Sequence, residues 1–126
     1  MLAMTLRSVL RQQSVDLEVI VVDEASTDDT ASMLAAVNDT RVSIIRHDTP
    51  HGLSAARNHG AFEARGQWLA FVDDDDLWAP DKLVRQIEAA EQAGRDWAGR
   101  RAPHPAQELC RLAGVRHAAG IPLAQR

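Results

Sequence analysis

The stretch Trp68-Leu69-Ala70-Phe71-Val72-Asp73-Asp74-Asp75-Asp76-Leu77-Trp78-Ala79-Pro80-Asp81-Lys82 constrains this chain more than any other. An apolar run of strand length ends abruptly in four acids. Trp, Phe and Val favour the extended chain, and a run apolar on both faces reads as a buried strand. Four adjacent carboxylates cannot continue into that strand, because a buried unpaired charge is too costly. The strand is therefore expected to stop near Asp73, with the acids in the loop at its carboxyl end. In open α/β sheets that end is where ligands bind. Two carboxylates about 6 Å apart repel by roughly 3 kcal/mol at an effective dielectric of about 20. Such a cluster is either a solvated turn or a seat for a hard divalent cation, which takes oxygen ligands.

The rest of the chain alternates helix and strand. Leu2, Leu6, Val9 and Leu10 share one face of an amphipathic helix over 2–13, with Arg7, Arg11 and Gln12 off that face. Leu17 to Asp23 is β-branched and apolar, a second buried-type strand that also ends in acids, Asp23 and Glu24. Ser26 or Thr27 is expected to cap the following helix, with Asp28 and Asp29 in its first turn. Met33, Leu34 and Val37 give its inner face, and Asn38-Asp39 ends it. Arg41–Arg46 reads as a short strand, and His47-Asp48-Thr49-Pro50-His51-Gly52 as a loop whose histidines are either solvated or ligands. Residues 53–66 read as a helix capped by Ser54 and ended by Gly66, with small residues at 55, 56, 60 and 61 for close approach to the sheet. Arg57, in an early turn, serves either a surface ion pair or contact with a phosphate or with the acids. After the acids, Pro80 suits a first helical turn. Leu83, Val84, Ile87 and Ala90 form the buried stripe, Gly94 ends the helix, and Trp78 packs it to the sheet.

Composition bounds the partners. At 126 residues the chain holds one domain at most. A net charge of −4 argues against nucleic acid as partner. Lys82 is the only lysine, and Cys110 stands alone, so no internal disulfide forms, which suits a reducing, cytoplasmic compartment. No apolar run is long enough to span a bilayer, and the start is too weakly apolar for a signal peptide. Beyond Trp97 the composition shifts to Pro, Gly, Ala and Arg. The expectation is a domain over 1–97 and an irregular or weakly helical tail over 98–126, with one short helix over 108–115 and no strand.

Three motifs carry a resemblance. Val19 to Thr30, Gly52 to Asn58, and Phe71 to Leu83 are similar, in order and spacing, to family 2 glycosyltransferases of the GT-A fold. The resemblance covers about residues 2–97. It implies an α/β class, specifically a partial GT-A, Rossmann-like nucleotide-binding fold with a mostly parallel sheet, flanking helices and the first strand missing. It implies that Asp23 and Glu24 hold the nucleoside, with Glu24 standing where the family usually has Asp. Asp73, Asp74 and Asp75 take the DXD position: Asp75 as main metal ligand, Asp73 and Asp74 towards ribose and diphosphate, with Asp73 also a metal ligand. Arg57 matches a helix residue near the nucleotide pocket. The implied cofactor is Mg²⁺ or Mn²⁺, and the implied partners are a nucleotide-sugar donor and an acceptor left open. Peripheral attachment at the inner membrane face is the alternative to a purely cytoplasmic location.

The family's opening strand, with its Pro-x-Tyr-Asn-like motif, and its acceptor half, with the catalytic base, have no counterpart here. The missing strand belongs between Leu17–Asp23 and Trp68–Asp73, so its absence leaves a gap at the sheet centre. The leading reading is an incomplete sugar transferase without its own base; Glu108 is the only acid after Asp96. A non-catalytic metal- or nucleoside-diphosphate-binding remnant, or a half-domain completed by a partner chain, is the alternative. A phosphatase-like enzyme with an Asp nucleophile is weaker, since Lys82 lies on the wrong helix for it.

Overall fold

The computed structural model describes residues 1–95 and the pair 115–116. The chain opens with α1 (Leu2–Leu10), followed by the short strand β1 (Asp16–Leu17) and the longer β2 (Val19–Glu24). Then come α2 (Thr30–Ala35), β3 (Val42–His47), α3 (Leu53–Glu63), α4 (Lys82–Gln92) and β4 (Val115–Arg116). β2 and β3 pair in parallel, from Val19 opposite Val42 to Glu24 opposite His47. β1 and β4 pair antiparallel over two residues. This is a mixed α/β arrangement with parallel strands flanked by helices, consistent with a partial GT-A fold.

β2 is the centre of the core because it is apolar on both faces. Val19 and Val21 pack with Leu6, Val9, Leu34, Val72, Trp78, Leu83 and Ile87. Ile20 and Val22, pointing the other way by the twofold period of a strand, pack with Ala56 of α3 and half-buried Ile45 and Ala64. The small residues of α3 do what their size suggests: Ala56 and Gly60 are buried against the sheet.

Several boundaries differ from the expected ones, each for a physical reason. The 68–73 segment forms no strand; it has a single bridge at Trp68. Its chain is extended, with Trp68, Ala70 and Val72 turned towards the core while Leu69 and Phe71 are 47% and 43% exposed. No neighbouring strand among the described residues offers it a ladder, so one apolar face stays in solvent. The helix over 2–13 closes at Leu10, and Gln12 is buried rather than on a solvent face. α2 starts at Thr30; neither Ser26 nor Thr27 caps it, and Asp28 Oδ1 accepts from the Thr30 N–H at 3.0 Å. The Thr30 side chain first, and then that backbone bond, hold the Asp28 carboxyl below its usual range.

Gly52, not Ser54, is the N-cap of α3. Its φ of +86° and ψ of 160° lie in a region that only glycine occupies without strain. α3 gives way at Ala64, before Gly66. Pro80 stands two residues before α4 rather than inside it. At the other end Gly94 adopts φ +61°, its N–H donates to the Glu91 carbonyl, and the Arg95 N–H donates to Ala90. This paired closure is the Schellman ending that a helix-terminal glycine allows. In the tail, β4 is a strand where none was expected; the helix expected over 108–115 lies, apart from Val115, outside the described residues, as do Cys110 and Glu108.

Candidate functional site

Two polar centres stand at the carboxyl end of the core, and α3 contributes to both. The first grows from the last pair of the β2/β3 ladder. Asp23 and Glu24 are adjacent, so their side chains leave the strand in opposite directions. Asp23 is 4% exposed. Its Oδ1 accepts from the Ser26 N–H at 2.9 Å, and its Oδ2 is paired with Arg46 Nη1. Arg46 Nη2 also donates to the Ser26 carbonyl at 2.9 Å. The turn that brings Ser26 back needs Ala25 at φ +57°, a left-handed conformation that costs an L-residue about 1 kcal/mol. Asp23 is therefore a buried, fully engaged carboxylate that fixes the loop after β2.

Glu24 turns to the loop after β3. Its Oε2 accepts from the backbone N–H groups of His51 and Gly52, at 2.7 and 2.6 Å. Its Oε1 contacts His47 Nδ1. His47 Nε2 lies 2.8 Å from His59 Nδ1 on α3, with the two rings stacked at 5.1 Å. His51 Nδ1 lies 3.2 Å from His47 Nδ1, edge to face. The loop histidines left open by the sequence are thus gathered with a third from α3.

The second centre is the acidic turn. Asp74 and Asp75 form its tip, closed by the Asp76 N–H donating to the Asp73 carbonyl at 3.1 Å. Arg57 Nη2 stands 3.6 Å from Asp73 Oδ1, and its guanidinium lies 5.5 Å from the Phe71 ring centroid. Arg57 Nε is buried and has no hydrogen-bond partner among the described residues. Burial raises the Asp73 carboxyl above its usual range; Arg57 opposes this, and Asp76, Asp75 and Asp74 add to it by repulsion. Asp73, Asp74, Asp75 and Arg57 are thus one local group, while Asp23 and Glu24 belong to the ladder-end group.

Among the described residues no ladder holds this turn; α1 and the residues just after it do. Thr5 Oγ1 donates to the Asp74 carbonyl at 2.7 Å, and the Trp78 N–H donates to Ser8 Oγ at 3.1 Å. Gln12 Nε2 donates to the Ala79 carbonyl at 2.6 Å, and Gln12 Oε1 accepts from the Leu83 N–H at 2.9 Å. α4 has no side-chain cap of its own, so Gln12, two residues past the end of α1, satisfies one of its orphan N–H groups. Lys82 lies over the Trp78 ring at 3.9 Å and donates to Gln86 at 2.7 Å; burial lowers its ammonium pKa. Thr5, Ser8 and Gln12 were not among the expected site residues. Their only sequence signal is a polar line at positions 5, 8 and 12 beside the apolar face of Leu2, Leu6, Val9 and Leu10.

Residues 1–108 match the family described as Glycosyl transferase family 2. The chain belongs to this family of sugar-transferring proteins. It is 46% identical over 89 residues to the succinoglycan biosynthesis protein ExoO of Rhizobium meliloti (strain 1021), covering 71% of this chain and 26% of that protein. It is 36% identical over 87 residues to WfaP of Escherichia coli, a UDP-Glc:alpha-D-GlcNAc-diphosphoundecaprenol beta-1,3-glucosyltransferase, covering 69% of this chain and 35% of that one. WfgD of Escherichia coli, which bears the same description, is 34% identical over 83 residues, covering 66% and 33%. The chain therefore spans about a quarter to a third of the length of these curated relatives. Among the described residues, no helix is long and apolar enough to cross a membrane.

Proposed function

We propose that this chain is the donor side of a nucleotide-sugar transferase. The observation that carries the reading is Arg57: a buried guanidinium nitrogen without a partner among the described residues, beside the acids of the turn. An arginine with donors to spare next to carboxylates suits a diphosphate bridged to those carboxylates by a cation. The donor set fits a hard divalent ion. Mg²⁺ uses one or two carboxylates and takes its remaining oxygens from substrate phosphates and water, and the acidic turn is not among the groups of three or more converging ligands in the described residues.

Asp75, with Asp73, would hold Mg²⁺ or Mn²⁺. When bound, that ion supplies Lewis-acid neutralisation of the departing nucleoside diphosphate. Arg57 meets the diphosphate from the helix side, and Asp74 faces the ribose. Asp23 and Glu24 stand at the end of β2, where the nucleoside is placed by the resemblance. WfaP and WfgD make a UDP-sugar the first donor class to try. Transfer further needs a base within about 3 Å of the acceptor hydroxyl, and none of the groups named here serves as one. The reaction accordingly requires residues beyond this donor side. Exposed Leu69 and Phe71 on the unladdered 68–73 segment favour a second form of the reading, in which another strand docks there to complete the half-domain.

The test is calorimetry on the full chain. Mn²⁺ and UDP together are expected to bind more tightly than either alone, and Asp75→Asn is expected to remove that synergy. Equal binding by wild type and Asp75→Asn would overturn the assignment.

A further inference from the structure

The ladder-end group has a chemistry that donor binding at the acidic turn does not use. Glu24, His47 and His51 each bring one ligand atom to within 4.8 Å of the other two. A tetrahedral ion with bonds of about 2.0–2.1 Å holds its ligand atoms about 3.3 Å apart. His47 Nδ1 and His51 Nδ1, 3.2 Å apart, are close to that spacing, while Glu24 Oε1 contacts His47 Nδ1 directly and has to draw back to admit an ion. Two imidazole nitrogens and a carboxylate oxygen gathered this closely suit a borderline transition metal rather than Mg²⁺ or Ca²⁺, which prefer oxygen.

The supporting contacts are also in place. A metal-bound histidine characteristically hydrogen-bonds through its other ring nitrogen, and ligating carboxylates are hydrogen-bonded in turn. His47 presents Nδ1 to the cluster and has Nε2 against His59 at 2.8 Å. Glu24 presents Oε1 while Oε2 is fixed by the His51 and Gly52 N–H groups. The framework is rigid, because Glu24 and His47 are directly paired across the parallel ladder. His51 is exposed, which leaves an approach from solvent.

We propose that Glu24, His47 and His51 form a three-ligand zinc-type site with an open fourth position, braced by His59. The two-histidine, one-carboxylate set with an open position is the donor set of zinc sites that keep a water or substrate ligand. The site shares Glu24 with the nucleoside end of the donor reading but no residue of the acidic turn, so His51→Ala and Asp75→Asn test the two separately.

The experiment uses the full chain without a histidine tag, stripped by chelator and titrated with Co²⁺ as a visible reporter. One equivalent of Co²⁺ is expected to give the intense visible bands of a four-coordinate ion, and one equivalent of Zn²⁺ to bleach them. His51→Ala, in an exposed loop, is expected to weaken Co²⁺ binding on the order of tenfold or more. His59→Gln is expected to weaken it by about 10–100-fold, the usual cost of losing a supporting contact. Circular dichroism matching wild type shows that each variant is folded. Asp75→Asn is expected to leave the Co²⁺ spectrum unchanged, which separates this site from the donor site. Absence of four-coordinate bands at one equivalent would overturn the proposal. So would equal Co²⁺ affinity in wild type and folded His51→Ala, because the ion would then sit elsewhere.

Discussion

The carboxyl ends of two extended segments, β2 and 68–73, are held in different ways. β2 is fixed by a six-residue parallel ladder and by apolar packing on both faces. Its terminal acids are locked by close partners: Asp23 by Ser26 and Arg46, Glu24 by His47 and the loop N–H groups. The 68–73 segment has one bridge and one exposed apolar face. The acids that follow it are positioned from outside, by Thr5 and Ser8 of α1 and by Gln12 just past it. A strand end built into a ladder is pre-organised. A strand end held by a few side chains depends on them, and on whatever binds there, for its shape.

The largest expected effect breaks the second arrangement alone. Gln12 makes two tertiary hydrogen bonds from a nearly buried position, one of them the cap of α4. Gln12→Ala strands the Leu83 N–H and the Ala79 carbonyl, which is expected to cost about 2–3 kcal/mol. The urea midpoint should fall accordingly. Amide exchange at Leu83 and through 73–79 should accelerate, while exchange at 19–24 follows only the global loss.

A much smaller effect is expected on the ladder side. Asp39 binds Arg41 through both oxygens at the entrance to β3, which holds its carboxyl down to about 2. The pair is partly exposed, so Asp39→Asn is expected to cost less than about 1 kcal/mol at neutral pH. Because the folded-state value is lowered, that contribution is present above the ordinary carboxylate range of about 3.9. It is lost as pH falls towards 2. Denaturation curves of the two proteins should therefore converge near pH 2.

The ladder region was largely legible in the sequence. β-branched Val19–Val22 and the apolar positions of 42–45 are local signals, and so are the stripe Leu83, Ile87, Ala90 and its closing Gly94. The family motifs marked the acids at both segment ends. The rest depends on tertiary partners. Trp68–Val72 has strand composition, but a strand exists only where another offers its backbone, and none among the described residues does. Gln12 looked like a solvent-facing residue because its partners, Ala79 and Leu83, are 67 and 71 residues away. The gathering of His47, His51 and His59 needs both the parallel register and the close approach of α3 through Ala56, neither of which is local.

Hydrogen exchange of the full chain with Mn²⁺ and UDP tests the contrast most directly. Protection is expected to rise at 73–76, where the turn gains the ion and diphosphate it lacks by itself, and to change little at 19–24, where the backbone is already fixed. The gain is expected to vanish in Asp75→Asn. Unchanged exchange at 73–76 with both ligands present, or an equal gain in Asp75→Asn, would contradict the assignment of the acidic turn as the donor site.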